Sequence, residues 1–149
     1  VCMPLCEIDC PFEITTVDSF HDDANGAKRG TNKIHLLTAA GMKIVHLGDL
    51  GHTLSDEQAA AIGKPDVLIA PVGGYYTIDA QQADAIARRL GAKIVIPMHY
   101  RSDTFGYENI ARVEAFTALR RDVRQLDTNT LELTPETSAM TALLRYMGE

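Results

Sequence analysis

The chain has 149 residues, 46% of them apolar and 23% charged, and a formal net charge of -6. This is the length and composition of one globular domain, spanning 1–149, with enough apolar side chains for a real core. The acidic balance excludes a nucleic-acid binder that works by a basic stripe. No apolar run is long enough to span a bilayer and no charged-then-apolar leader opens the chain, so the expectation is a cytoplasmic protein with no membrane partner.

Cys2, Cys6 and Cys10 fall together at the start. Their spacing does not make paired zinc knuckles, and Pro4 and Pro11 prevent a helix that would align them, so they read as ordinary reduced thiols. Phe12 to Val17 is rich in β-branched residues and reads as a strand leading into Ser19-Phe20-His21-Asp22-Asp23. Lys33–Thr38 and Lys43–Leu47 read as a hairpin around Ala39-Ala40-Gly41. Ser55 and Gln58 form a capping-box pattern that opens a short helix ending near Gly63. Val67–Val72 is a continuous apolar run, the pattern of a strand buried on both faces. Ala80, Ala83, Ile86, Ala87 and Leu90 recur at helical spacing across Asp79–Leu90, with Gly91 as the stop. Lys93–Pro97 is a second buried strand, so this stretch predicts a βαβ unit with parallel strands. Ile110, Val113, Phe116 and Leu119 predict a further amphipathic helix. Thr130–Thr134 reads as a short strand, and Thr141–Met147 fits a strand or a helix, with the strand preferred. The fold class is therefore α/β.

His21, Asp49 and His99 each lie just beyond the end of an apolar strand, and in α/β folds that is where ligands bind. Two imidazoles and a carboxylate suit zinc and leave a coordination position open. Taken alone, the same three residues equally fit hydrogen-bonded structural positions.

Five strings carry a resemblance. They are Ser19-Phe20-His21-Asp22-Asp23, Gly26-Ala27-Lys28-Arg29-Gly30-Thr31-Asn32, His46-Leu47-Gly48-Asp49-Leu50-Gly51-His52, Pro71-Val72-Gly73-Gly74 and Ile96-Pro97-Met98-His99-Tyr100. In this order they resemble the metallo-β-lactamase superfamily, and within it the bacterial and archaeal Zn-dependent hydrolases, most clearly over Phe12–Tyr100. The resemblance implies part of an αββα sandwich, its C-terminal portion. It implies that His21 serves a first metal, that Asp49 bridges two metals and is the catalytic carboxylate, and that His99 serves the second. It also implies one or two zinc ions whose bound hydroxide attacks a small-molecule substrate. The family's leading His-x-His-x-Asp-His string does not occur in this chain. The resemblance thus implies a domain that begins partway through, whose remaining ligands come from a second copy in a homodimer or from a partner chain. The alternative function is a non-catalytic fragment or binding subunit that self-associates through exposed apolar sheet surface.

The other polar residues carry plainer expectations. His46 reads as structural, or as a hydrogen-bond partner of Asp49. His52 reads as a solvent-facing loop residue and His35 as a surface or cross-strand residue. Asp22 and Asp23 read as partners of His21 or as solvated turn residues. Lys28 and Arg29 are a solvated pair able to steer an anion, and Tyr75, Tyr76 and Tyr100 flank the crevice.

Overall fold

The computed structural model of the chain describes residues 13–146, so the expectations for Cys2, Cys6 and Cys10 lie outside the described residues. The first strand, β1, runs Glu13–Phe20, longer than the expected stretch, and ends directly at His21. It pairs along its whole length with β2 (Thr31–Ala39), antiparallel. β2 then turns into β3 (Met42–His46) through Ala40-Gly41, both at positive φ (49° and 74°), the backbone twist that a two-residue hairpin needs.

The expected capping box is present. Ser55 accepts from the Gln58 N–H and Gln58 reaches back to the Ser55 N–H, opening α1 (Asp56–Ile62). The buried strand β4 (Val67–Pro71), the helix α2 (Ala80–Leu90) and the strand β5 (Ile94–Met98) form the expected βαβ unit, with β4 and β5 parallel. Asp79 and Gln82 make a second capping box at the start of α2, and Gly91 closes it in the left-handed conformation.

After β5 the expectations hold less well. The helix expected over Ile110–Leu119 shrinks to α3 (Glu114–Thr117). Ile110 is buried, but for another reason. Backbone bonds pin the next residue, Ala111, between Gly73 and Arg101, which holds this stretch extended. Thr130–Thr134 is not a strand. Leu131 and Leu133 instead pack against an apolar cluster on one sheet face, because the neighbouring edge is taken by β6 (Val123–Gln125). β6 pairs parallel with β7 (Met140–Leu143), which is the expected last strand in shortened form. β6 is exposed at every residue and carries no apolar alternation to announce it.

These strands form one seven-stranded mixed sheet in the order β1-β2-β3-β4-β5-β7-β6. One face carries the main core. Val45, Leu68, Ala70 and Val95 of the sheet, with Leu47 and Val72 just beyond its strand ends, meet Ile62 of α1, the apolar stripe of α2 and Phe116 of α3. The other face carries a smaller cluster of Met42, Val67, Ile94, Met140 and Ala142, flanked by half-buried Ile44, Ile69 and Ile96. The middle of α2 is tied to β7 through Arg120 as well. Arg120 donates to the Thr141 hydroxyl (2.9 Å) and to Asp84 (3.1 Å), and Asp84 also accepts from Arg88. Among the described residues no helix is long and apolar enough to cross a membrane.

Phe116 is fully buried where α3 meets the core. Phe116→Ala is expected to lower the unfolding free energy by about 3–5 kcal/mol in urea titration. Val123→Ala on the exposed β6 is expected to change it by less than about 0.5 kcal/mol.

Candidate functional site

The strands of the β1-β2-β3-β4-β5 half deliver His21, Asp49 and His99 to one end of the sheet, where all three line a single cavity of about 320 Å³. The cavity continues over Gly74, Tyr76 and Thr77 from the loop after β4, and over Tyr100, Gly106, Tyr107 and Ile110 from the loop after β5. His99 Nδ1 lies 3.2 Å from Asp49 Oδ1, each side chain about half exposed (44% and 50%), so this pair meets in reach of solvent. His21 shares the cavity. Among the described residues, however, no three His, Cys, Asp or Glu side chains converge closely enough to hold a metal ion. The donor types fit a zinc-class cation. Their convergence falls short of a complete metal centre.

The directions of these residues are set by neighbours that do no chemistry. Asn32, at the start of β2, is the central one. Its Nδ2 donates to the Leu47 carbonyl (2.9 Å) and to the Ser19 hydroxyl (2.8 Å), and its Oδ1 accepts from the Asp49 N–H (2.9 Å). One carboxamide therefore joins the end of β1, the start of β2 and the turn after β3. Gly51 completes this join. Its N–H donates to the Phe20 carbonyl, and a Cβ at position 51 would overlap the backbone of His21 and Asp22. His99 has φ of 53°, a left-handed backbone that a non-glycine residue holds only under constraint. The constraint comes from Gly73, packed so tightly beneath it that a Cβ there would overlap the His99 carbonyl oxygen.

Asp22 overturns its expectation as a solvated turn residue. It is 2% exposed, and its carboxylate accepts four backbone N–H bonds, from Ala24 and Gly26 on one oxygen and from Lys28 and Arg29 on the other. Burial by itself raises the Asp22 pKa. The four donors outweigh burial and hold the carboxyl at about 2. Asp23 instead stays exposed and pairs with Lys28 (2.8 Å).

His52 and His46 are hydrogen-bonded into the backbone. His52, expected to face solvent, accepts from the Phe20 N–H on Nε2 (3.1 Å), while its Nδ1 lies 2.7 Å from the Thr53 carbonyl. His46 Nδ1 accepts from the Gly48 N–H (3.0 Å), which steadies the turn into Asp49. Burial, followed by the nearby charges of His35 and His99, pushes His46 below its ordinary value and favours its neutral form. His35 is exposed and lies directly across from His46 in the β2–β3 register. Burial, and then the Glu114 carboxylate, raise the Tyr100 phenol, which keeps its proton. Sequence reasoning passed over Asn32 and Tyr107. Asn32 stood within a recognised string, but nothing in a sequence says which backbone groups a carboxamide will reach.

Comparison with known proteins adds independent evidence. The profile of the β-lactamase superfamily domain family matches residues 6–99, well over half of the chain. A UPF0173 metal-dependent hydrolase of Thermoplasma acidophilum is 33% identical over 87 residues, covering 58% of this chain and 38% of that protein. One from Hyperthermus butylicus is 34% identical over 83 residues, covering 56% and 36%. This chain thus spans well under half the length of these relatives. Among solved structures, a Thermotoga maritima protein assigned as a Zn-dependent hydrolase of the metallo-β-lactamase superfamily is 35% identical. It superposes with a TM-score of 0.78 over 89% of this chain and 64% of its own. The metallo-β-lactamase fold protein YhfI of Bacillus subtilis, at 15% identity and a TM-score of 0.56, shares the fold over 91% of this chain and 47% of its own.

The Asp22 cage predicts a pH dependence. A carboxyl held at about 2 in the fold, against an ordinary 3.8, adds stability that is present above about pH 4 and is lost as the pH falls through about 2. The urea midpoint of Asp22→Asn should therefore fall less between about pH 5 and pH 2 than that of the unmodified chain. Parallel curves would show that Asp22 does not carry this dependence.

Proposed function

Because the chain belongs to the β-lactamase superfamily domain family, we propose that it carries part of the active site of a metal-dependent hydrolase, with His21, Asp49 and His99 as its contribution to the ligand set. The observation that carries this reading is the delivery of these three residues from three strand ends into one cavity. The names of its relatives as metal-dependent hydrolases, and of the Thermotoga maritima protein as a Zn-dependent one, support the reaction class and favour zinc. Since no three such side chains converge among the described residues, the rest of the ligand set comes from protein outside them. A bound zinc-class cation supplies a water of lowered pKa and polarises the scissile carbonyl or phosphoryl group.

The chain's own residues prepare the place. Asp49, held by Asn32 through its backbone, keeps a carboxylate 3.2 Å from His99 Nδ1, which orients the imidazole and leaves Nε2 as its free nitrogen for a ligand role. His99, held left-handed over Gly73, cannot swing away without moving the β4 loop. The Tyr76, Tyr100 and Tyr107 rings line the same cavity as the pair.

A second reading has its own observation. The same lack of convergence favours a non-catalytic subunit that binds a partner or a second copy through the sheet face bearing Ile44, Ile69 and Ile96. Two measurements separate the readings. Elemental analysis after dialysis is expected to find about one metal ion per chain, lost in His99→Ala. Metal-dependent hydrolysis is expected to fall in that variant by more than the 10–100-fold that loss of a mere hydrogen-bond partner of a ligand costs. A chain without metal and without hydrolysis under any divalent cation, running in light scattering at about twice its 16.3 kDa mass, would sink the hydrolase reading in favour of the second.

A further inference from the structure

The cavity wall beside His99 is aromatic. Tyr76 comes from the loop after β4 and Tyr107 from the loop after β5, yet their rings meet at 6.1 Å and 66°. Tyr75 sets its ring edge-on to Tyr76 at 4.7 Å and 75°, and Tyr100 forms the third ring of the lining. From this we infer that the wall is a subsite for a planar aromatic group of the substrate, seated next to the Asp49–His99 pair. The inference deepens the hydrolase reading and takes its substrate role from it: the hydrolysed compound carries an aryl or similarly flat conjugated group.

Three observations carry it. The first is exposure. Tyr107 is 73% and Tyr75 63% exposed, so these rings are not core packing. Tyr107 leaves its ring open to water within the cavity lining and in contact with Tyr76, which in turn touches Tyr75. The second is constraint. Tyr75 has a φ of 61°, a left-handed backbone that costs a bulky residue free energy, held beside a Tyr76 N–H to Gly74 carbonyl bond of 2.7 Å. Tyr76 is steadied from the opposite side of the sequence, since the Arg29 guanidinium lies 5.6 Å from its ring centroid. Arg29 makes no ion pair among the described residues, and its own N–H is bonded to the buried Asp22 carboxylate. The Asp22 cage therefore sets where the Arg29 backbone stands against Tyr76.

The third is chemistry. Away from His21, Asp49 and His99, the side-chain polar atoms of the lining are tyrosine and threonine hydroxyls only. No charged side chain belongs to this part of the lining, so a charged group seated against the rings loses hydration without gaining a counter-charge. Two rings inclined at 66° offer a third flat ring one stacked and one edge-on neighbour, the two arrangements that aromatic pairs prefer. A branched aliphatic group of equal volume gains the burial but not this geometry.

The test compares benzamide with cyclohexanecarboxamide, neutral probes that differ in the flatness of one ring, by 1H–15N NMR titration of the full chain. Benzamide is expected to bind about 3–10-fold more tightly, the worth of a favourable aromatic contact, and to shift the Gly74 and Gly106 amides that line the cavity. Tyr107→Ala, at an exposed position that the fold tolerates, should weaken benzamide about 5-fold and cyclohexanecarboxamide less than about 2-fold, while Tyr107→Phe restores the preference. Equal affinity for the two probes, or a preference unchanged in Tyr107→Ala, would overturn the subsite. The two readings fail separately. A chain that prefers benzamide but holds no metal and hydrolyses nothing keeps the subsite and loses the hydrolase. One that hydrolyses but binds both probes equally keeps the hydrolase and loses the subsite.

Discussion

The candidate site depends on one carboxamide. Asn32 uses both hydrogens of its Nδ2 and a lone pair of its Oδ1 to hold Leu47, Ser19 and Asp49. An amide is suited to this task because it is donor and acceptor at once and carries no charge to desolvate. A carboxylate there would set an acceptor oxygen against the Leu47 carbonyl, and a single hydroxyl could not reach all three partners. His21 and Asp49 keep their relative positions because Asn32 fixes the end of the strand that carries one and the turn that carries the other.

Around that join the site is built largely from backbone. The Asp22 carboxylate gathers four N–H groups and folds the loop between β1 and β2 about itself, a fully satisfied buried charge rather than an orphan. Gly51 and Gly73 let main chain touch main chain at the two places where the segments bearing His21 and His99 cross their neighbours. Side chains of the reactive type are few, and most of the surrounding order exists to aim them. Arg29 extends the same logic outward, linking the Asp22 loop to the aromatic wall through the face of Tyr76.

Much of this was legible in the sequence, for identifiable reasons. β4, α2 and β5 announced themselves because a strand covered on both faces must be continuously apolar and a helix covered on one must repeat at its own period. His21, Asp49 and His99 stood out by their places at strand ends, which left structural roles equally open until the resemblance singled them out, and all three do share a cavity. The illegible parts share a cause, in that their roles are set by distant partners. Ile110 looked helical because it is spaced like Phe116, yet Gly73 and Arg101 hold the stretch beside it extended. Leu131 and Leu133 were rightly apolar and wrongly paired, since burial against a sheet face produces the same alternation as a place within it. β6 has no buried residue and so left no trace. His52 looked like any loop histidine until the Phe20 N–H was found against its ring.

The aromatic composition has a consequence for how this protein is seen in solution. The chain has no tryptophan and five tyrosines. Tyr76, Tyr100 and Tyr107 line the cavity at His99, and Tyr75 sits edge-on to Tyr76. Tyr146 joins His99 and Tyr100 around a neighbouring hollow and stacks on Phe105. Every strong near-ultraviolet chromophore of the chain thus stands within one neighbourhood. Its ultraviolet absorption, its intrinsic emission and its near-ultraviolet dichroism are not averages over the molecule. They are optical signals of the candidate site, available without any label.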